Sequence, residues 1–133
     1  MEMLRKRDKT VNIDVNGVQP EVHEYAAYLV LAKSGKNLKL LPPTNKYKVS
    51  SADFEMDGLI WELKCPKGKG KYTIRDTLKQ ASGQSANIVI DLRRLKLEQA
   101  KALAQISKYF KIIKKIKRVL IITKEQTILD IQK

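Results

Sequence analysis

The chain has 133 residues, enough for one domain with a real hydrophobic core, and 43% of them are apolar, so it reads as a folded globular protein. Twenty-seven Lys and Arg against 14 Asp and Glu leave a formal net charge of +13; such self-repulsion persists where a polyanion binds it, and a nucleic acid is the expected partner. A single cysteine, Cys65, excludes an internal disulfide and a four-thiolate zinc site, no run approaches the roughly 18 apolar residues of a transmembrane helix, and the charged start at 1–7 lacks the apolar stretch of a signal peptide, so no membrane partner is expected.

Residues 1–18 are polar and read as an N-terminal arm with a turn at Asn16 and Gly17, leaving 19–133 as one domain. Over 20–34 the pattern predicts a helix: Pro20 suits the first position, Val22, Ala26, Leu29 and Val30 share a face, and Gly35 stands where the helix should stop. A short strand over 38–41 is closed by Pro42 and Pro43. Strands over 51–56 and 59–65 flank Asp57 and Gly58, a strong hairpin signal. A Gly/Lys loop at 67–71 leads into a helix over 73–82 and then a compact β-branched strand over 87–92. A long helix over 97–112 carries Ala100, Leu103, Ile106 and Phe110 at helical spacing, and strands over 119–123 and 127–131 end the chain. The order α-β-β-β-α-β-α-β-β, without repeats or linkers, describes an α/β layered domain with a mixed sheet flanked by helices.

The chemistry is expected on the hairpin. A two-residue turn pairs Met56 with Leu59, Glu55 with Ile60, Phe54 with Trp61 and Asp53 with Glu62. Because strand side chains alternate, one face carries Phe54, Met56, Leu59, Trp61 and Leu63 and belongs in the core. The other carries Asp53, Glu55, Ile60, Glu62 and Lys64, with Asp53 opposite Glu62. Like charges opposed across a ladder destabilise it, so solvation, a shared proton or a bound cation must offset the repulsion. Two converging carboxylates suit Mg2+ or Mn2+, and a lysine beside them can orient or help deprotonate an attacking water.

Asp53 followed on the next strand by Glu62-Leu63-Lys64 resembles the PD-(D/E)XK, or restriction-endonuclease-like, nuclease motif, and the order of elements from Pro20 to Leu92 resembles its αβββαβ core. Ala52 stands where that motif has its proline. The segments PEVHEYAAYLVLAKSGKNLKLLPP and SADFEMDGLIWELK, with the Gln-containing helix leading into NIVIDL, are similar to the C-terminal tRNase toxin domains of CdiA-type contact-dependent inhibition proteins. Related modules end phage and mobile-element head proteins. The resemblance implies a metal-dependent nuclease acting on RNA, and on tRNA in particular. Asp53 and Glu62 would be metal ligands with the Leu63 carbonyl as a third, for Mg2+ or Mn2+ with Zn2+ as a further candidate, and Lys64 would be the catalytic lysine. Glu24 on the first helix would complete the acidic cluster, with Glu21 in reserve, and Gln80 or Gln84 would reach the site from the following helix. It further implies a domain secreted or delivered within a larger protein, acting in a target-cell cytoplasm, and an acidic immunity protein covering the basic mouth.

Lys67, Lys69, Lys71 and Arg75 follow the catalytic strand, with glycines that let backbone approach a phosphate, though not in Walker spacing. A second basic run holds Lys108, Lys111, Lys114, Lys115, Lys117 and Arg118; part of its charge complements a helix C-terminus and the rest suits nucleic-acid backbone. A single histidine, His23, excludes a two-histidine ribonuclease and reads as a surface residue. Tyr47, Tyr72 and Trp61 could stack on bases, although Trp61 falls on the apolar hairpin face. Asp91 either lies near the site or pairs with Arg93 or Arg94, and Cys65 reads as structural. Two other readings compete: a metal-independent colicin- or RelE-like ribonuclease using Lys71, Thr73 and Arg75, and a non-catalytic nucleic-acid-binding module.

Overall fold

The computed structural model describes residues 11–42 and 53–133. Among these, the elements in chain order are β1 (Asn12–Asp14), α1 (Val22–Lys33), β2 (Asn37–Leu40), β3 (Asp53–Met56), β4 (Leu59–Lys64), α2 (Thr73–Ser82), β5 (Asn87–Asp91), α3 (Gln99–Ile112), β6 (Arg118–Ile122) and β7 (Ile128–Gln132). From α1 onward this is the order expected from the sequence. The chain divides between Ile60 and Trp61 into two compact units. Ser51, Ala52, Pro43 and Tyr47, which figured in the sequence reading, lie outside the described residues.

In the first unit β2 runs parallel to β1 and antiparallel to β3, with Leu38 opposite Met56 and Leu40 opposite Phe54. Strand β1 falls inside the segment read as an arm. Three residues, Asn-Ile-Asp, carry no periodicity to read; the strand exists through its pairing with β2 and through the Asn16 side-chain amide, which donates to the Leu40 carbonyl at 3.1 Å. The expected turn is present, with Asn16 and Gly17 both at positive φ.

Helix α1 begins at Val22 rather than Pro20. Glu21 caps it in a capping box: its backbone N–H donates to the Glu24 carboxylate at 3.0 Å, and its own carboxylate accepts from the Glu24 backbone. The buried side is Ala27, Tyr28, Leu31 and Ala32, while Val22 is 88% exposed and Ala26, Leu29 and Val30 are only half-buried. The expected face was wrong because the stretch Ala26–Ala32 is apolar all round, which leaves periodicity nothing to choose by. Tyr28 meets Phe54 edge-on, ring centroids 5.1 Å apart. Lys36 pairs with Asp57 at 2.8 Å, tying the end of the helix segment to the hairpin turn. At that turn Asp57 and Gly58 have φ of 56° and 74°, the conformation that a two-residue type I′ turn demands.

The second unit orders its strands β4-β5-β6-β7, the first three parallel and β7 antiparallel. Parallel neighbours need crossovers, and α2 and α3 supply them. The core on the helix side joins Ile74, Leu78 and Ala81 of α2 to Ala102, Ile106 and Phe110 of α3 over Ile88, Ile90, Val119 and Ile121. Helix α2 spans the residues expected. Helix α3 starts two residues later than expected and leaves Ala100 exposed. Gln99 is occupied in bridging to the β6–β7 turn, accepting from the Lys124 backbone N–H at 2.7 Å and donating to Glu125 at 3.0 Å. That bond, first among the causes, lowers the Glu125 pKa.

Two substitutions test this framework. Gly58→Ala meets no atom within 4 Å, so its cost is conformational, about 1 kcal/mol, whereas Ile106→Ala empties fully buried core and should cost about 2–5 kcal/mol. Urea denaturation of each variant checks both values.

Candidate functional site

The register of the second unit decides where the hairpin acids go. Glu62 lies beside Ile88 and Lys64 beside Ile90, and those isoleucines face α2 and α3 in the core. Glu62 and Lys64 therefore share the helix-covered face of the parallel strands. Trp61, Glu62 and Leu63 are all buried, Glu62 at 0% exposure. The hairpin face expected to be polar is thus interior by the middle of β4. Glu55 and Ile60, nearer the turn, are exposed on that face, and Leu59 on the other face is exposed too, a departure from the expected core.

The Lys64 ammonium stands 3.4 Å from the Glu62 carboxylate. Charge-assisted hydrogen bonds are shorter, about 2.7–2.9 Å, so the lysine lends its charge without a tight bond to that oxygen. Full solvation is ruled out as the way Glu62 is stabilised. Its hard oxygens fit a hard divalent cation, with the Leu63 carbonyl one residue on as a donor of the same kind.

Asp91 and Arg93 form a separate cluster. Asp91 sits beside Ile122 and on the same face as Val89, opposite to Glu62 and Lys64. Its buried carboxylate accepts from Arg93 at 3.0 Å from Nε and 2.9 Å from Nη2, and from the Arg93 backbone at 3.0 Å. The Asp91 hydrogen bond, opposed by burial and helped by the charges of Asp91 and Cys65, raises the Arg93 pKa. Of the two readings of Asp91, the ion pair is the one formed.

The Gly/Lys loop is tied down. The Gly68 carbonyl accepts from Lys96 N–H at 3.1 Å and the Gly70 carbonyl from Thr73 N–H at 3.2 Å. A Cβ on Gly68 would lie 3.0 Å from Thr73 Oγ1, and one on Gly70 3.1 Å away, which explains the glycines as close packing against the start of α2. Lys67, Lys69 and Lys71 are exposed, and Arg75 lies with its guanidinium 4.1 Å from the Tyr72 ring centroid. Gln80 and Gln84 are both exposed.

In the second basic run Lys114, Lys115 and Lys117 are exposed. Arg118 is used within the fold, paired with Asp130 at 2.8 Å and 5.3 Å from the Trp61 ring centroid. Sequence reading missed Lys133, whose ammonium donates to the Ile113 carbonyl at 2.9 Å. Desolvation first, then Lys117 and Lys114, lowers its pKa. Its place at the chain end, far in sequence from the run, gave no signal.

In the first unit, Glu21, His23 and Glu24 bring ligand atoms within 4.8 Å of one another. The reserve acid and the expected one are thus neighbours, and His23 is half-buried beside them rather than a plain surface residue. Asp53 is half-buried at the start of β3, with its carbonyl accepting from Leu41 N–H at 3.1 Å. Cavities of about 350 and 550 Å³ in this unit are lined by residues of β1, β2 and the β3 end of the hairpin, and include neither Glu24 nor Asp53.

The Asp91–Arg93 pair carries a prediction. Arg93→Ala removes the guanidinium and leaves the buried carboxylate only the backbone N–H, and should cost on the order of 3 kcal/mol, read as a lowered denaturation midpoint.

Comparison with known proteins bears on what this arrangement serves. A chain of the CdiA-CT/CdiI toxin and immunity complex from Burkholderia pseudomallei has a similar fold, with a TM-score of 0.64 and 20% identity, covering 92% of this chain and 99% of that one. No curated protein matches. The family model of the contact-dependent growth inhibition CdiA C-terminal domain matches residues 50–128, from just before β3 to the start of β7. That stretch is more than half of the chain and contains Asp53, Glu62 and Lys64, and the chain belongs to the contact-dependent growth inhibition CdiA C-terminal domain family.

Proposed function

We propose that the domain is a divalent-metal-dependent nuclease of the PD-(D/E)XK type that cleaves RNA, tRNA above all, as the toxic end of a larger delivered protein. The observation that carries this reading is Glu62: a carboxylate at 0% exposure with Lys64 3.4 Å away on the same strand face. A buried carboxylate has to be offset by positive charge, and beside Lys64 a bound cation can supply it. Family membership supports growth inhibition as the context; RNA rather than DNA rests on the sequence resemblance.

In this reading Asp53 and Glu62 supply carboxylate oxygens, and the Leu63 carbonyl a third. These groups would hold Mg2+ or Mn2+, which would supply Lewis acidity to the reaction. Lys64 orients the attacking water and offsets negative charge growing on the phosphate oxygens. Glu24 adds a further acid, with Glu21 and His23 beside it. Lys67, Lys69, Lys71 and Arg75 grip the RNA backbone next to the scissile bond, and Lys114, Lys115 and Lys117 extend the grip. Arg118, already held by Asp130, contributes least. An acidic immunity protein would neutralise this surface, and a toxin and immunity complex among similar folds supports such a partner.

The approach of Lys71 and Arg75 to Tyr72, with Thr73 next in the chain, favours one second reading, metal-independent cleavage with Lys71, Thr73 and Arg75 as acid, base and phosphate ligand. EDTA separates the two. Under the metal reading, RNA cleavage stops in EDTA and returns with Mg2+ or Mn2+. Asp53→Ala, Glu62→Gln and Lys64→Ala each lower the rate by about 100-fold or more, with unchanged circular dichroism. Cleavage that persists in EDTA, leaves a 2′,3′-cyclic phosphate and falls with Thr73→Ala establishes the alternative.

A further inference from the structure

Three aromatic residues were candidates for stacking on bases, and their placements differ. Tyr47 lies outside the described residues, and Trp61 is at 0% exposure. Tyr72 is 47% exposed, immediately before α2 and after the Gly/Lys loop. It occupies the N-cap position, where Ser, Thr, Asp or Asn is preferred, and makes no side-chain capping hydrogen bond. The ring is therefore not there to start the helix, and the residue stands exposed.

Its surroundings are organised. Arg75 lies one turn into α2 with its guanidinium carbon 4.1 Å from the ring centroid, and a 3.0 Å bond from Nε to Asp76 holds that group in place. Lys71 approaches the ring at 5.4 Å. The backbone beneath is fixed by the bonds from Thr73 N–H to Gly70 and from Lys96 N–H to Gly68. An exposed aromatic residue on a fixed backbone, backed by a guanidinium, with Lys71 beside the ring and the exposed Lys67 and Lys69 on the loop leading to it, combines the two elements that bind unpaired nucleic acid: a π surface for bases and positive charge for the backbone.

We propose that Tyr72, backed by Arg75, is a stacking platform for an unpaired nucleobase, so that this surface takes single-stranded or loop segments of RNA in preference to duplex. A duplex offers the same phosphates but hides its base faces. The inference rests on the reading of the domain as RNA-directed, and it names the form of RNA that reading leaves open.

The test is binding in EDTA, where metal-dependent cleavage is silent. The full chain is titrated with a fluorescent oligo-uridine strand and, separately, with a blunt RNA duplex of equal length. Tyr72→Phe should bind both as the parent does. Tyr72→Ala and Tyr72→Leu, the latter keeping apolar bulk without a π face, should weaken single-strand binding about tenfold to a hundredfold. Duplex affinity and the salt dependence should stay unchanged. A 2-aminopurine placed in the single strand should be quenched by the parent and not by Tyr72→Ala. Equal single-strand binding by parent and Tyr72→Ala, equal loss for strand and duplex, or no single-strand binding by the parent would each overturn the proposal. A parent that cleaves RNA while Tyr72→Ala binds single strands normally refutes the platform and leaves the nuclease standing. A Tyr72-dependent binder that never cleaves does the reverse.

Discussion

Taking a carboxylate out of water costs several kcal/mol even after the protein relaxes around it, and Glu62 is wholly out of water in the middle of β4. Its surroundings follow from accommodating that charge. Lys64 must sit two residues on, because only that spacing returns a cation to the same strand face. The parallel register with β5 then places both on the side covered by α2 and α3. A dry site strengthens every charge interaction within it, which is unhelpful for an inert strand and useful for holding a cation or stabilising charge on phosphate.

The parallel β4-β5-β6 arrangement separates two polar clusters that could be confused in one dimension. Glu62 with Lys64 lies on one face, while Asp91 with Arg93 lies on the other. The second pair is bidentate, short and reinforced by a backbone N–H, the features of a structural ion pair. The first is longer, with the Lys64 ammonium 3.4 Å from the Glu62 carboxylate. Basic side chains follow the first cluster closely along the chain, Lys67, Lys69 and Lys71 on a loop packed by glycines against Thr73 and Arg75 at the start of α2.

Much of this was legible in the sequence, and the parts that were not have physical reasons. Asp57-Gly58 specified its turn because both positions require positive φ, which few other pairs adopt cheaply. Helix α2 was readable to the residue because Ile74, Leu78 and Ala81 form a clear apolar stripe between polar flanks. By contrast, α1 is apolar all round and gave no face, and β1 is too short to carry a pattern. The hairpin acids were legible as a spacing, but the burial of Glu62 was not, since alternation shows which face a residue takes and not what covers that face. Only the parallel neighbours and the helices above them decide that. Arg118 looked like one more cation in a basic run, yet its neighbours across the sheet, Asp130 and Trp61, claim it.

If the Glu62 carboxylate is a metal ligand rather than half of a structural ion pair, the protein binds a divalent ion without any RNA. Titration of the full chain with Mn2+, followed by electron paramagnetic resonance, should reveal a bound ion in the parent that Asp53→Ala and Glu62→Gln abolish and Arg93→Ala leaves intact. Mn2+ remaining free in the presence of the folded parent, or bound equally well by Glu62→Gln, would mean that Glu62 is not a metal ligand.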